Sequence, residues 1–506
     1  MGTERGIGKR DMAKTGKPWY RPRNIALVVV AAIGAAIGWA VVAAVTAKPG
    51  DPIDYQKKLV ELVESYQPGG PGDPNAWDPF MEAVNLFTTA RAEIVAAAGG
   101  EDAVPADWPN FKWPFDFKSL YTPGAPVEVV EPTLRMTTML RERGVHDRLA
   151  AVAAMPRAVR PGRPADEWVI AVELPELAAA RDLARYCMAR MHEAARTGDT
   201  VELIASFEQG LALGRVVGSQ WTLIDRLTGI AIVSTMTTEL RRHVGAGMFD
   251  ATACRLLLEA IDRQLPLPPM ELSLNGERIG LMDSIQRTHT DNGRGSGRLI
   301  ITKLVDLENF GDPTGPIPAL YGHPIFNVAG LFLPSRAETV AKADAFYDKS
   351  IALSRMTPAE RRADPFNPDV FVETLPRGFV VLRLLLPAIG RAIASNDRSE
   401  LDVAGLRVML ALEIHYQENG AYPARLEDLV PSILPELPMD PFSGRPYGYR
   451  LPTGDGTTYG SYTLYSVGGD GVDDAGTPHA EHPQKALQDN ASGSDYIIHE
   501  PAAGGR

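Results

Sequence analysis

Between Ile25 and Val45 the chain reads IALVVVAAIGAAIGWAVVAAV, 21 residues without a charge or a proline. A helix of that length reaches about 30 Å, enough to cross a bilayer core. Upstream, Arg5, Lys9, Arg10, Lys14, Lys17, Arg21 and Arg23 stand against only Glu4 and Asp11. A basic flank of this kind stays on the cytoplasmic side, so everything after Lys48 is expected across the membrane. This reads as an inner-membrane protein with a cytoplasmic N-terminus and a periplasmic or extracytoplasmic bulk. The rival reading is a cleaved signal peptide, with Val45-Thr46-Ala47 as the small-residue processing site. The length of the apolar run favours an anchor. No cysteine lies just after the run, so a lipid-modified anchor is not expected. Gly34 and Gly38 form a G-x-x-x-G pair that lets two such helices pack closely, which keeps a homo-oligomer open.

The net charge is −12, and with a basic N-terminus the rest of the chain is more acidic still. Phosphate contacts need a basic face, so no nucleic-acid partner is expected. Cys187 and Cys254 are the two cysteines. Neither sits in a Cys-x-x-Cys pattern, and both fall in apolar helical settings, where a thiol packs as a small hydrophobe. Whether they pair is left to geometry.

The periodicity beyond the anchor is mostly helical. Residues 53–66 and 80–98 have apolar positions at helical spacing, separated by the linker PGGPGDPNAWDP. Residues 104–132 are rich in proline and aromatics (Trp108, Phe111, Trp113, Phe115, Phe117, Tyr121) and are expected to lie over a helical core. Leu177, Ala180, Ala184, Cys187 and Met191 then mark one helical stripe that Gly198 ends. Asp199, with Glu202 three residues on, starts the next helix as in a capping box. That helix presents Leu203, Phe207, Leu211 and Leu213, and a third, over 220–246, carries Ile224, Leu227, Ile230 and Ile232. Helices joined this tightly make hairpins that only loosely resemble tetratricopeptide units, without a second clear copy. In THTDNGRGSG, His289 and Asp291 stand two residues apart, the residue types of a catalytic pair. No Gly-x-Ser-x-Gly or His-Glu-x-x-His occurs, and the glycines lack the closing lysine of a phosphate loop.

The last stretch changes character. A helix over 378–419 stops at Asn419-Gly420, glycine accepting the left-handed backbone there, and Pro423 blocks its resumption. TYGSYTLYSV (458–467) then alternates as a half-buried strand does, giving a helix followed by a small antiparallel sheet. Four ordered motifs lie in this region: Asn419-Gly420-Ala421-Tyr422-Pro423, Leu437-Pro438-Met439-Asp440-Pro441, Pro446-Tyr447-Gly448-Tyr449, and Tyr465-Ser466-Val467-Gly468-Gly469-Asp470-Gly471. Together they resemble the major, G-type pseudopilin of type II secretion systems, over about a quarter of the chain. A pseudopilin begins with a processed leader and its own membrane helix. Here the matching helix is internal, and FVVLRLLLP ahead of it is interrupted by Arg383.

In that family the loop after the last strand binds calcium. Carried over, the resemblance implies Asp470 as the first loop aspartate and Asp495 as the aspartate near the return strand. Asp473 and Asp474 are added as candidate metal ligands by their oxygen chemistry. The same loop holds His479, Glu481 and His482, which would suit a transition metal.

The expected layout is mainly α: a basic tail (1–24), a transmembrane anchor (25–46), membrane-proximal helices and a linker (47–132), a helical-hairpin domain (133–376) and an α+β pseudopilin-like domain (377–506). The function expected is that of a single-pass envelope protein with a calcium-stabilised domain, binding an unknown protein partner or serving assembly rather than catalysing a reaction. A secretion-related component and an outer-compartment hydrolase are the alternatives.

Overall fold

A computed structural model describes residues 22–50, 53–98, 137–291, 293, 296–308, 323–451, 461–487 and 493–499. The basic tail as far as residue 21, the aromatic segment 104–132, and parts of NGRGSG, of 311–324, of 458–467 and of the 471–495 loop lie outside these residues. The chain is mainly helical with one small antiparallel sheet. It divides into two compact units: residues 1–51 with 286–337, and residues 52–285 with 338–506.

The smaller unit contains α1 (Pro22–Val45), the one described helix long and apolar enough to cross a membrane. Val28, Val30, Ile33, Ile37, Trp39 and Val42 are all exposed along it. Packed on α1 is a short, apolar 3-10 helix, Pro324–Phe332, whose Ile325 and Phe332 are also exposed. Isolated bridges join Pro49 to Thr290 and His289 to Leu299, and Asn327 accepts from the Thr302 amide.

The longer helices of the larger unit include α2 (Tyr55–Ser65), α3 (Trp77–Ala98), α4 (Val145–Ala154), α5 (Glu176–Thr197), α6 (Thr200–Gly218), α7 (Leu223–Gly245) and α8 (Ala251–Gln264). Two more, α9 (Glu271–Thr288) and α10 (Arg336–Ser354), carry the chain between the units, and α11 (Ile389–Asn419) is the longest. Local chemistry sets the corners. Gly198 closes α5 at φ 74°, and the Asp199 carboxylate accepts from the Glu202 amide to open α6. Thr222 and Asp250 cap α7 and α8 in the same way. α6 and α7 meet almost backbone to backbone: a Cβ on Gly229 would fall 2.5 Å from Gly218 Cα and 2.6 Å from Gly214 O. Only glycine permits that approach.

One expected stripe is displaced. Ile224 and Leu227 face outward, 59% and 37% exposed, while Leu223, Ile230, Ile232, Val233, Met236 and Leu240 fill the core. α7 is covered by α5, α6 and α11, so most of its circumference is buried and the apolar periodicity does not single out a face.

α11 lies on α7 and α8 with Leu406, Leu410 and Ile414 buried, and ends at Gly420 with φ 76°. It begins only at Ile389, after a separate short helix at Val380–Leu385 and Pro387. Behind it stands the sheet β1 (Gly448–Arg450), β2 (Thr463–Ser466) and β3 (Tyr496–His499), in that order and antiparallel. Ile498 of β3 sits against Gly405, Tyr447 donates to the Leu401 carbonyl, and Tyr496 donates to Asp402. One hydrophobic cluster runs from Ala76 through the hairpins to Ile498, with no break at residue 377. Cys187 and Cys254 are buried, free thiols inside it.

Candidate metal centre

Two histidines and a glutamate converge where α5 and α7 face each other. Glu239 and His243 are four residues apart on α7 and so share a face, and His192 projects from α5. His192 Nε2 lies 3.2 Å from Glu239 Oε1, and His243 Nε2 lies 3.5 Å from the same oxygen. All three candidate ligand atoms fall within 4.8 Å of one another, and no other trio does so among the described residues. The imidazole rings are 5.2 Å apart and tilted by 51°.

The electrostatics follow from burial. Desolvation, with His243 and Arg242 adding to it, pushes His192 down to about 2. Desolvation and Arg242 push His243 down to about 4. Burial raises the Glu239 carboxyl, and the Arg242 guanidinium pulls in the opposite direction. Both imidazoles are therefore neutral at physiological pH, the form in which histidine donates a lone pair. Around the trio, Arg242 donates to Glu239 Oε2 at 3.0 Å, and His243 Nδ1 rests 3.2 Å from Met248 Sδ. Glu239 and Arg242 also line a cavity of about 700 Å³ whose wall carries Arg181, Arg185 and Arg398.

None of these three residues was singled out from sequence. A His-Glu-x-x-His motif puts two histidines on one helix, whereas here α7 supplies Glu-x-x-x-His and α5, two helices earlier in the chain, supplies the third group. The i, i+4 spacing of Glu239 and His243 was the available signal.

The acidic loop is built differently. Asp495 turns both carboxylate oxygens to backbone amides, accepting from Asp474, Gly476 and Thr477 at 3.3, 2.7 and 3.3 Å. Asp473 accepts from Tyr465 Oη and from the Ala475 amide. Asp470, at the other end of the loop, accepts from the Val472 amide. Arg362 occupies the neighbouring Gly469 carbonyl at 2.5 Å. Asp474 keeps one buried oxygen, Oδ2, without a hydrogen bond. Burial raises the Asp495 carboxyl, with nearby Asp473 adding to it, but Asp470, Asp473, Asp474 and Asp495 do not bring three ligand atoms together. His479 and His482 spend their Nδ1 atoms on nearby amides, and Glu481 pairs with Lys485.

His289 is buried with Nδ1 3.1 Å from Thr288 Oγ1, while Asp291 pairs with Arg336 at 2.6 Å and receives the Gly293 amide. No family model, curated protein or solved structure matches this chain.

Proposed function

We propose that this chain is a single-pass membrane-anchored envelope protein whose helical body binds a protein partner or serves assembly. The observation that carries the anchored part is the pair of apolar surfaces in the smaller unit. The outward side chains of α1 have no protein cover, and the 3-10 helix packed on it adds Ile325 and Phe332, the latter 86% exposed. Large apolar side chains left together in this way are stable against lipid, not water. The binding role rests on the hairpin architecture and on the pseudopilin-type module at the C-terminus.

The face of α11 argues against a polymerising subunit. Its apolar positions are spent on α7, α8 and the sheet, so they are not free to pack against a second copy. Calcium stays in this reading as a stabiliser of the loop from Asp470 to Asp495. Asp495 already closes that loop through three amides, so calcium would add to an existing clasp.

The test is topological. Protease added to sealed inner-membrane vesicles of known orientation should remove the body from one side only and leave a protected fragment containing α1. A body released free of membrane by alkaline extraction would overturn the reading. Calcium should raise the melting temperature of the detergent-solubilised chain, and Asp470→Ala should abolish the rise; an unchanged melt with calcium or chelator removes calcium from the proposal.

A further inference from the structure

We propose that His192, Glu239 and His243 form a divalent transition-metal site, with zinc the best-fitting ion. The spacing carries the argument. In a tetrahedral site with nitrogen and oxygen ligands about 2.0–2.1 Å from the ion, neighbouring ligand atoms stand about 3.4 Å apart. The two distances to Glu239 Oε1 are 3.2 and 3.5 Å. Each imidazole therefore already stands at ligand spacing from the carboxylate, and the remaining separation, between the two imidazoles, lies within 4.8 Å and is closed by side-chain rotation on the two helices.

The donor set selects the ion class. Two imidazoles and one carboxylate suit zinc and its first-row neighbours, and are a poor set for calcium or magnesium, which want oxygens throughout. Three protein ligands leave a fourth position for water or a small anion. Glu239 reaches the wall of the arginine-lined cavity, which gives both an entry path and surroundings that favour an anion at that position.

The surroundings also hold the ligands in place. Each sits within a long helix, and α7 is locked onto α6 through the glycine contact described above. Arg242 fixes the second carboxylate oxygen of Glu239. Its positive charge opposes the ion, but its side chain is 59% exposed, so water screens that repulsion. The His243 Nε2 atom makes no hydrogen bond, although it is buried and points at the carboxylate. A buried ring nitrogen of that kind is costly unless something binds it.

The experiment uses the full-length chain in detergent, stripped with chelator and titrated with zinc or cobalt. One ion per chain is expected, with cobalt giving the intense visible bands of a tetrahedral site. His243→Ala and His192→Ala should each weaken binding by about 10–100-fold or more. The double variant His479→Ala, His482→Ala, which removes the exposed loop histidines, should bind as the parent does. X-ray absorption of the zinc-loaded parent should show two imidazoles, and this readout survives if a variant does not fold. Failure to bind one ion, unchanged affinity in a folded His243→Ala chain, or absorption without imidazole scattering would each overturn the assignment.

Discussion

Replacing Asp440 by alanine should cost this chain more than most single changes in its surface loops. The Asp440 carboxylate is fully buried and accepts four hydrogen bonds: from the Phe442 amide at 2.9 Å, the Ser443 hydroxyl at 3.2 Å, the Ser466 hydroxyl at 2.8 Å and the Val467 amide at 3.2 Å. Two of these donors belong to its own turn and two to the end of β2, so the side chain fastens the turn to the sheet. Alanine leaves all four without that acceptor. Ser443 is half-exposed and can turn to water, but the Ser466 side chain and the Phe442 amide cannot easily do so. Each stranded buried donor costs about 1–3 kcal/mol. Against this, the variant no longer buries a carboxylate, whose desolvation is what pushes the Asp440 carboxyl upward despite its hydrogen bonds. The net expectation is a loss of about 2–4 kcal/mol. Asp440→Asn, which keeps the volume and one acceptor oxygen, should lose roughly half as much. Urea unfolding of the detergent-solubilised chain, followed by circular dichroism, reads this directly. Limited proteolysis should show earlier cutting within 437–450. An alanine variant within about 0.5 kcal/mol of the parent would refute the stapling argument.

Glu277, half-buried with its carboxylate accepting the Leu223 amide, has its carboxyl pushed up to about 7 by burial, with nearby Asp225 adding to it. The folded chain then holds a proton that the unfolded chain releases above about pH 4.5, so the stability linked to it is present at low pH and falls as pH rises through 7. Glu277→Gln should remove that slope and be more stable than the parent by up to about 3 kcal/mol at pH 8, with no advantage at pH 4; equal pH profiles would count against it. Gly229→Ala should push α6 and α7 apart and cost about 1–3 kcal/mol in the same unfolding assay, whereas a neutral result would mean that the helices separate easily. Cys187 and Cys254 are both raised to about 12 by burial, so neither should react with iodoacetamide in the native chain and both should react in urea, as counted by mass spectrometry. Ala475 adopts φ 55° in the acidic loop, and Ala475→Gly should stabilise by about 0.5–1 kcal/mol in thermal melts.

What could be read from the sequence was whatever the chain decides locally. The stop at Gly198, the cap at Asp199 and the end of α11 at Gly420 each depend on residues within one turn, and they stand where expected. Among Ile224, Leu227, Ile230 and Ile232 only the last two are buried, because three helices cover α7, and a helix apolar on most sides carries no phase information. Asp440 could be recognised as part of a motif, but its purpose depends on Ser466 and Val467, which reach it only after β2 has folded against the turn. Its four hydrogen bonds make it a structural residue, although a conspicuous aspartate in a motif invites a functional reading.

The same distinction separates the two metal hypotheses. The acidic loop is a candidate through its resemblance to a calcium-binding loop, yet its amides already claim carboxylates: Asp470 and Asp473 each accept from the amide two residues on, and Asp495 accepts from three amides across the loop. Such local bonds compete with an ion for the same lone pairs. His192, Glu239 and His243 come from helices, whose own amides and carbonyls are already paired, so their side chains are left to meet between α5 and α7. A carboxylate in a glycine-rich loop has many backbone partners, whereas an imidazole within a helix has few besides what the neighbouring helix supplies. On that ground the helical trio is the stronger place to look for an ion in this chain, even though its members lie up to 51 residues apart and no short motif announces them.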